Sequence, residues 1–433
     1  MHDVLDPRDL VPDEAEELEL SGFAIGDLHR AARDAAGRDD FEALEGIGRR
    51  LAQAERRADW PYDEPSDDAT LRALAAGVAP IEVDPAGLPD RIRGAWLGRA
   101  VGNTLGKPVE GLTRDELRAY FRAAGVERLQ GYLPLIDPLP DGVSRLHPSA
   151  PIATAGNFSD VPRDDDIDWT IVGLHVLEKH GRDFTTEQLA AEWLDRVPFT
   201  QTYTAERAAY RNLIHGIRPP ATATHRNPYR EWIGALIRGD VFGYVNPGNP
   251  GAAAAMALKD ARLSHTGNGI YGELWAAALV SAALAADSAK GALAAAAHVV
   301  PPRSRLAEVL AQVTELHAGG ASVEQALDWV DERLAQYSWV HTLNNAALIA
   351  IGLLWGVDYL DAVGITISGG RDTDSAGATV GSAYGALHGA GSIPAELVGT
   401  THVHVRSAVR DFDRVTLDEL SRRTLSLLPA ASR

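Results

Sequence analysis

From about residue 88 onward, apolar residues recur at intervals of three and four rather than two. That period puts them on one face of an α-helix; alternation by two would put them on one face of a strand. The pattern predicts helices over 91–106, 114–124, 168–180, 186–195, 203–215, 228–239, 250–262, 270–286, 288–298, 304–316, 322–335, 342–355 and 375–389. Strand-like alternation is nearly absent, so the expected class is all-α, one large helical domain. No repeat period of the kind that marks a solenoid is present. Two stretches, 130–163 and 219–226, carry no helical pattern. Long loops inside a compact domain are usually functional or ordered by a ligand. The most apolar runs, 274–286 and 346–357, are too short to span a bilayer and read as buried helices.

Before residue 88 the texture differs. Residues 1–70 hold 8 Arg against 20 Asp and Glu, and so contribute −12 of the formal charge of −19. Leu44, Ile47 and Leu51 stand at helical spacing. One or two surface helices are expected, then a loop over 59–68. Acidic runs usually just solvate a surface, so the segment is expected to be accessory, with a regulatory or dimerising role as the alternative. The expected organisation is an acidic helical extension over 1–87, a catalytic domain over 88–395 and a helical tail over 396–433 packing on the core.

Composition narrows the chemistry. The 433 residues include no cysteine, which removes disulfides, thiolate nucleophiles and cysteine-held metals. The acidic balance argues against nucleic acid as a partner, because phosphate binding needs a basic surface. The N-terminus lacks a basic stretch followed by an apolar one, so no signal peptide is expected. A cytoplasmic protein with no membrane partner is the expectation.

Two segments depart from ordinary helix composition. Gly94, Gly98, Gly102 and Gly106 are spaced by four, and so are Gly377, Gly381, Gly385 and Gly389. Each glycine inside a helix costs about 0.5–1 kcal/mol relative to alanine. Spacing by four lines them up on one face, leaving a strip without side chains. The natural use of such a strip is very close approach of another backbone. The two strips are expected to pack on each other, antiparallel.

Acidic groups stand at the ends of these helices. Asp164, Asp165, Asp166 and Asp168 precede one helix; Asp372, Asp374 and Ser375 follow Gly369-Gly370-Arg371; Glu110 follows the first ladder in Gly106-Lys107-Pro108-Val109-Glu110. Helix capping accounts for one Asp per helix. It does not account for three consecutive Asp with a fourth behind them. Carboxylates crowded this closely raise one another's pKa unless a cation neutralises them. Oxygen-only donors suit hard divalent ions such as Mg²⁺ or Mn²⁺.

These residues carry a resemblance. Gly94 to Glu110, Asp164 to Thr170, Leu263-Ser264-His265-Thr266 and Gly369 to Gly389 resemble, in order, motifs of the ADP-ribosylglycohydrolase (ADP-ribosylhydrolase) family, over about residues 90–392. The resemblance implies an all-α fold with a binuclear Mg²⁺ or Mn²⁺ centre. It implies Asp165 and Asp166 as one metal-binding pair, Asp372 and Asp374 as the second, Ser375 as a hydroxyl ligand in place of Thr, and Glu110 beside the metals. Asp164 and Ile167 stand where the family has Thr, and Asn103 where many members have Asp; Asp164 can still offer oxygen to a metal.

Outside the carboxylates, His265, Thr266, Gly267 and Asn268 form a glycine-rich loop suited to a substrate, as do Asn157 in the long loop and His341 at a helix entry. The expected function is hydrolysis of a glycosidic bond at C1 of a ribose, with Glu110 and Asp165 as the candidate catalytic carboxylates. The expected substrate is an ADP-ribosyl compound, an ADP-ribosylated protein, or a smaller ribosyl compound such as a nucleoside. The alternative is a non-catalytic protein that binds ADP-ribose or a nucleotide on the same fold.

Overall fold

A computed structural model describes residues 5–429. Its order is α1 (Pro7–Leu20), α2 (Leu28–Ala36), α3 (Phe41–Leu51), α4 (Asp68–Ala76), α5 (Leu88–Gly106), α6 (Arg114–Ala123), α7 (Asp165–His180), α8 (Thr186–Arg196), α9 (Thr204–Ile214), α10 (Asp240–Tyr244) and α11 (Pro250–Ala261). There follow α12 (Gly267–Ala283), α13 (Ala289–Ala297), α14 (Arg305–Ala318), α15 (Val323–Arg333), α16 (Thr342–Trp355), α17 (Tyr359–Ser368), α18 (Thr373–His388), α19 (Ala395–Val398) and α20 (Leu417–Ser426). The only described strands are β1 (His404–Val405) and β2 (Val415–Thr416), an antiparallel pair. The all-α expectation holds. No described helix is long and apolar enough to cross a membrane.

The ladder helices α5 and α18 form the spine. They run antiparallel with their glycines face to face: Gly94 meets Gly385, Gly98 meets Gly381, Gly102 meets Gly377, and Gly106 meets Thr373. A Cβ at any of these seven glycines would be driven into the backbone of the opposite helix. The Tyr359 hydroxyl on α17 donates to the Gly98 carbonyl at 2.7 Å and braces the crossing. α12 is buried along its whole length. That explains its lack of a polar face, since a helix surrounded by protein has no solvent side to present.

One predicted helix is not formed, and one observed helix was not predicted. The segment 228–239 is not one helix; it turns through Gly234 and a short 3₁₀ stretch before α10. Its backbone pairs outward instead, Ile233 N–H to the Val340 carbonyl at 2.9 Å and Thr266 N–H to the Arg230 carbonyl at 3.1 Å. Tertiary pairing overrides the helical period there. The helix α17 was not foreseen, because Gly356, Gly364, Gly369 and Gly370 crowd a short segment with turn signals.

The acidic N-terminal stretch holds four helices rather than one or two. α1 to α3 enclose their own small core of Ala15, Leu18, Leu28, Ala32, Leu44 and Leu51. Its acids do more than solvate. Glu64 receives Arg305 Nε at 2.9 Å, and Arg305 also reaches Glu231 at 2.7 Å, all three buried. Arg230 pairs with Glu14 at 2.6 Å. Arg305→Ala removes the nearest counter-charge of buried Glu64 and Glu231, leaving Glu64 only Arg56 at 4.0 Å, a change that costs about 3–5 kcal/mol. Thermal unfolding should show that loss, and limited proteolysis should show earlier cleavage before residue 88. At the other end, α20 lies against α5, with Trp96 Nε1 donating to Thr424 at 3.0 Å.

Candidate functional site

Antiparallel packing sets the C-terminal end of α5 beside the N-terminal end of α18. A single 3₁₀ turn, Lys107–Val109, carries the chain from Gly106 to Glu110. Gly111 N–H then donates to the Arg371 carbonyl at 2.9 Å, and Arg371 N–H returns to the Leu112 carbonyl at 3.0 Å. This two-bond clasp holds Glu110 against the Asp372 loop. The loop turns sharply through left-handed Gly370 (φ 70°) and Arg371 (φ 69°). α7 is fastened to α5 from the side: buried Arg99 donates to the Asp166 carbonyl at 2.7 Å and pairs with Asp240 at 2.7 Å. Asn103 Nδ2 donates to Asp166 Oδ2 at 2.8 Å.

The result is two carboxylate sets sharing one member. Glu110, Asp372 and Asp374 form one; Asp164, Asp166 and Asp374 form the other; within each set the oxygens lie within 4.8 Å of one another. The two Asp boxes, about 200 residues apart in sequence, thus meet in one place. Asp165 lines the same cavity but belongs to neither set; the Ser375 hydroxyl lines that cavity too. Ile167 is buried in the apolar core.

These groups suit a hard divalent cation. The donors are all oxygen, and Asp166 Oδ1 is buried with no hydrogen-bond partner. Burial, reinforced by Asp374, pushes Asp166 up to about 7, with Arg99 and Lys107 pulling it back. Burial pushes Asp165 up to about 7 against the pull of Arg163. Glu110 and Asp372 are raised well above the carboxylate range, by burial first and by Asp374 second.

A carboxylate whose pKa is raised on folding makes the folded chain bind more protons than the unfolded one, so stability falls as pH rises toward the raised value. Buried histidines such as His402, lowered to about 4, act oppositely, but their contribution is spent within about one unit above the unfolded value of about 6.5. The metal-stripped protein should therefore lose thermal stability between about pH 7.5 and 8.5, and saturating Mn²⁺ should flatten that slope. Thermal melts in chelator and in Mn²⁺ check this; stability that rises across the window in chelator would contradict it.

The carboxylates form the floor of a cavity of about 860 Å³. Arg145, Arg163 and Arg207 line it, together with Phe199, Tyr203, Trp232 and Trp339. His147, from the 130–163 loop, stands with Nε2 3.3 Å from Glu110 Oε2. Lys107 is buried among the carboxylates: its ammonium bonds Asp164 and lies 4.0 Å from Asp374. Sequence reasoning named neither His147 nor Lys107 as site residues. The signals were present, a long loop upstream of the Asp box and a basic residue inside the Glu110 motif.

The other expected substrate residues stand elsewhere. His265, Thr266, Gly267, Asn268, Asn157 and His341 do not line this cavity. His265 is buried and hydrogen-bonded on both ring nitrogens, to Ser264 at 2.8 Å and Ala235 N–H at 3.2 Å. The first residues of α12 grip the N-terminal extension: Gly267 N–H donates to Ser66 at 2.9 Å and Asn268 Nδ2 to Glu64 at 2.8 Å. Asn157 donates to Thr154 at 2.9 Å. His341 caps α16 through Nδ1, and its Nε2 lies 3.7 Å from Glu231.

A family model described as ADP-ribosylglycohydrolase matches residues 84–430. Among solved structures, a chain titled "ADP-ribosylglycohydrolase-related protein complex" is similar at 21% identity, with 79% of this chain and 98% of that chain covered and a TM-score of 0.45. No curated protein sequence matches.

Proposed function

We propose that this chain, which belongs to the ADP-ribosylglycohydrolase family, hydrolyses the bond at C1 of the ribose in an ADP-ribosyl substrate, with help from a divalent cation. Membership supports glycosyl hydrolase activity on ADP-ribosyl substrates. The observation that carries the finer reading is the meeting of Glu110 with both Asp boxes on the floor of one cavity.

Mg²⁺ or Mn²⁺, held by Asp372, Asp374 and Glu110 with Asp166 beside them, would supply charge to fix the ribose hydroxyls and acidify water. The chain's own residues do the rest. Arg145 and Arg207 face the substrate's phosphates, and the Trp232, Trp339 and Tyr203 rings offer flat faces to a base. Asp165 stands free of both carboxylate sets, with a pKa of about 7. That value suits a general base near neutral pH. Asp165 takes the proton from the water that attacks C1. The bond from C1 to the leaving atom breaks with its electrons on that atom, which receives the proton that Asp165 took from the water, and Asp165 is restored as a carboxylate. Glu110, steadied by His147, orients the water.

The arginines favour an ADP-ribosyl substrate over a plain nucleoside, which has no phosphate to meet them. A panel of ADP-ribosyl-arginine, ADP-ribosyl-serine, O-acetyl-ADP-ribose and nucleosides, each with Mg²⁺ and Mn²⁺, tests this. Turnover is expected for an ADP-ribosyl compound, and Arg207→Ala should raise KM for it more than it lowers kcat. Turnover of nucleosides alone would contradict the substrate assignment.

A further inference from the structure

The two carboxylate sets are not equivalent. Among the described residues, the Glu110, Asp372 and Asp374 set has no basic side chain within salt-bridge distance other than Lys107 by way of the shared Asp374, and His147 on Glu110. The Asp164, Asp166 and Asp374 set already holds a cation. The Lys107 ammonium bonds Asp164 Oδ2 and stands 4.0 Å from Asp374 Oδ2. Resting on the reading of this cavity as a metal-dependent active site, we propose that Lys107 takes the place of one metal ion. The chain then holds a single divalent cation, in the Glu110, Asp372 and Asp374 set.

Four features of the site carry this. First, Lys107 is buried, and so is Asp164. A buried ammonium stays charged only beside counter-charges, and this pair supplies one to each partner. Second, Asp164 is fully engaged. Its Oδ1 accepts the Asp166 N–H at 2.9 Å as the cap of α7, while its Oδ2 takes Lys107. A metal at this position would have to displace either a helix cap or an ion pair.

Third, Asp166 has Oδ2 committed to Asn103 at 2.8 Å, so it has a single oxygen, Oδ1, left to offer this set. Fourth, the Lys107 backbone is anchored at the carboxylates. It follows the last residue of α5 and opens the 3₁₀ turn, its N–H bonded to the Asn103 carbonyl, with Pro108 behind it. A divalent ion beside that ammonium meets like charge at close range, where a buried site screens least. Lys107 and Asp164 therefore act as a matched pair. Losing Lys107 leaves an uncompensated carboxylate that a second cation would satisfy.

The experiment measures metal stoichiometry rather than turnover. Metal-stripped protein is equilibrated with Mn²⁺, and bound ion is counted by elemental analysis and read by electron paramagnetic resonance. The wild type should bind one Mn²⁺ per chain, with the hyperfine pattern of an isolated ion. Lys107→Met should bind two and show the broadened signal of a spin-coupled pair. Two coupled ions in the wild type would overturn the inference and leave the metal-dependent reading intact. No ion in either protein would overturn both. Should the variant not fold, the wild-type spectrum decides alone, since it distinguishes an isolated ion from a coupled pair.

Discussion

Asp374→Asn is expected to remove turnover of the ADP-ribosyl substrate by roughly 10³-fold or more, about 4 kcal/mol of transition-state stabilisation. No other carboxylate is in the same position. Asp374 is the member common to both sets, and its repulsion is among the causes that raise Asp166, Asp372 and Glu110. Asparagine keeps the shape and one oxygen but withdraws the charge that a divalent ion needs. It also removes the repulsion felt by the three neighbours. The metal-stripped variant should therefore melt at or above the temperature of the metal-stripped wild type. Mn²⁺ should raise the wild-type midpoint and leave that of the variant nearly unmoved. Kinetics and melts in the presence and absence of Mn²⁺ check both halves. Full activity in the variant would contradict the role given to Asp374.

The second large effect is expected far from any charge. Gly102→Leu should destabilise the fold by about 3 kcal/mol or more, at the upper end of overpacking costs. A side chain at Gly102 would be driven into the Gly377 carbonyl, and backbone cannot rotate away as a side chain can. Every rung from Gly94 to Gly106 is buried against backbone, so even alanine is costly there. Since α5 delivers Glu110 and α18 delivers Asp372 and Asp374, wedging the helices apart should weaken Mn²⁺ binding as well as stability. Denaturant unfolding and Mn²⁺ titration of the same sample measure the two together. A Gly102→Leu protein of unchanged stability would show that the strips do not need contact.

The spine was readable because its signal is periodic and expensive. Two runs of glycine spaced by four have few uses inside helices, and close antiparallel packing is the use found here. The acidic boxes were readable for a similar reason, since repulsion makes such crowding costly without a purpose. What could not be read was which polar residue of a loop turns inward. His265 carries a glycine-rich sequence that suits a ligand, yet its partners are Ser264 and the Ala235 backbone. His147 carries no local motif and reaches Glu110 only through the path of the 130–163 loop. The acids of the N-terminal extension read as a solvated run because their partners, Arg230 and Arg305, lie more than 200 residues away. Pairing over such distances leaves no trace in local period or composition. The segment 228–239 shows the same limit for secondary structure, where backbone bonds to Val340 and Thr266 displace a helical pattern.

The central claim is that this carboxylate floor catalyses hydrolysis rather than only binding ADP-ribose. It is tested most directly by following free ADP-ribose released from an ADP-ribosyl substrate by metal-stripped protein, before and after Mn²⁺ is added. The account predicts no release in chelator, release on addition of Mn²⁺, and none from Asp374→Asn under the same conditions. Saturable binding of ADP-ribose with no release at any Mn²⁺ or Mg²⁺ concentration, across the ADP-ribosyl panel, would contradict it.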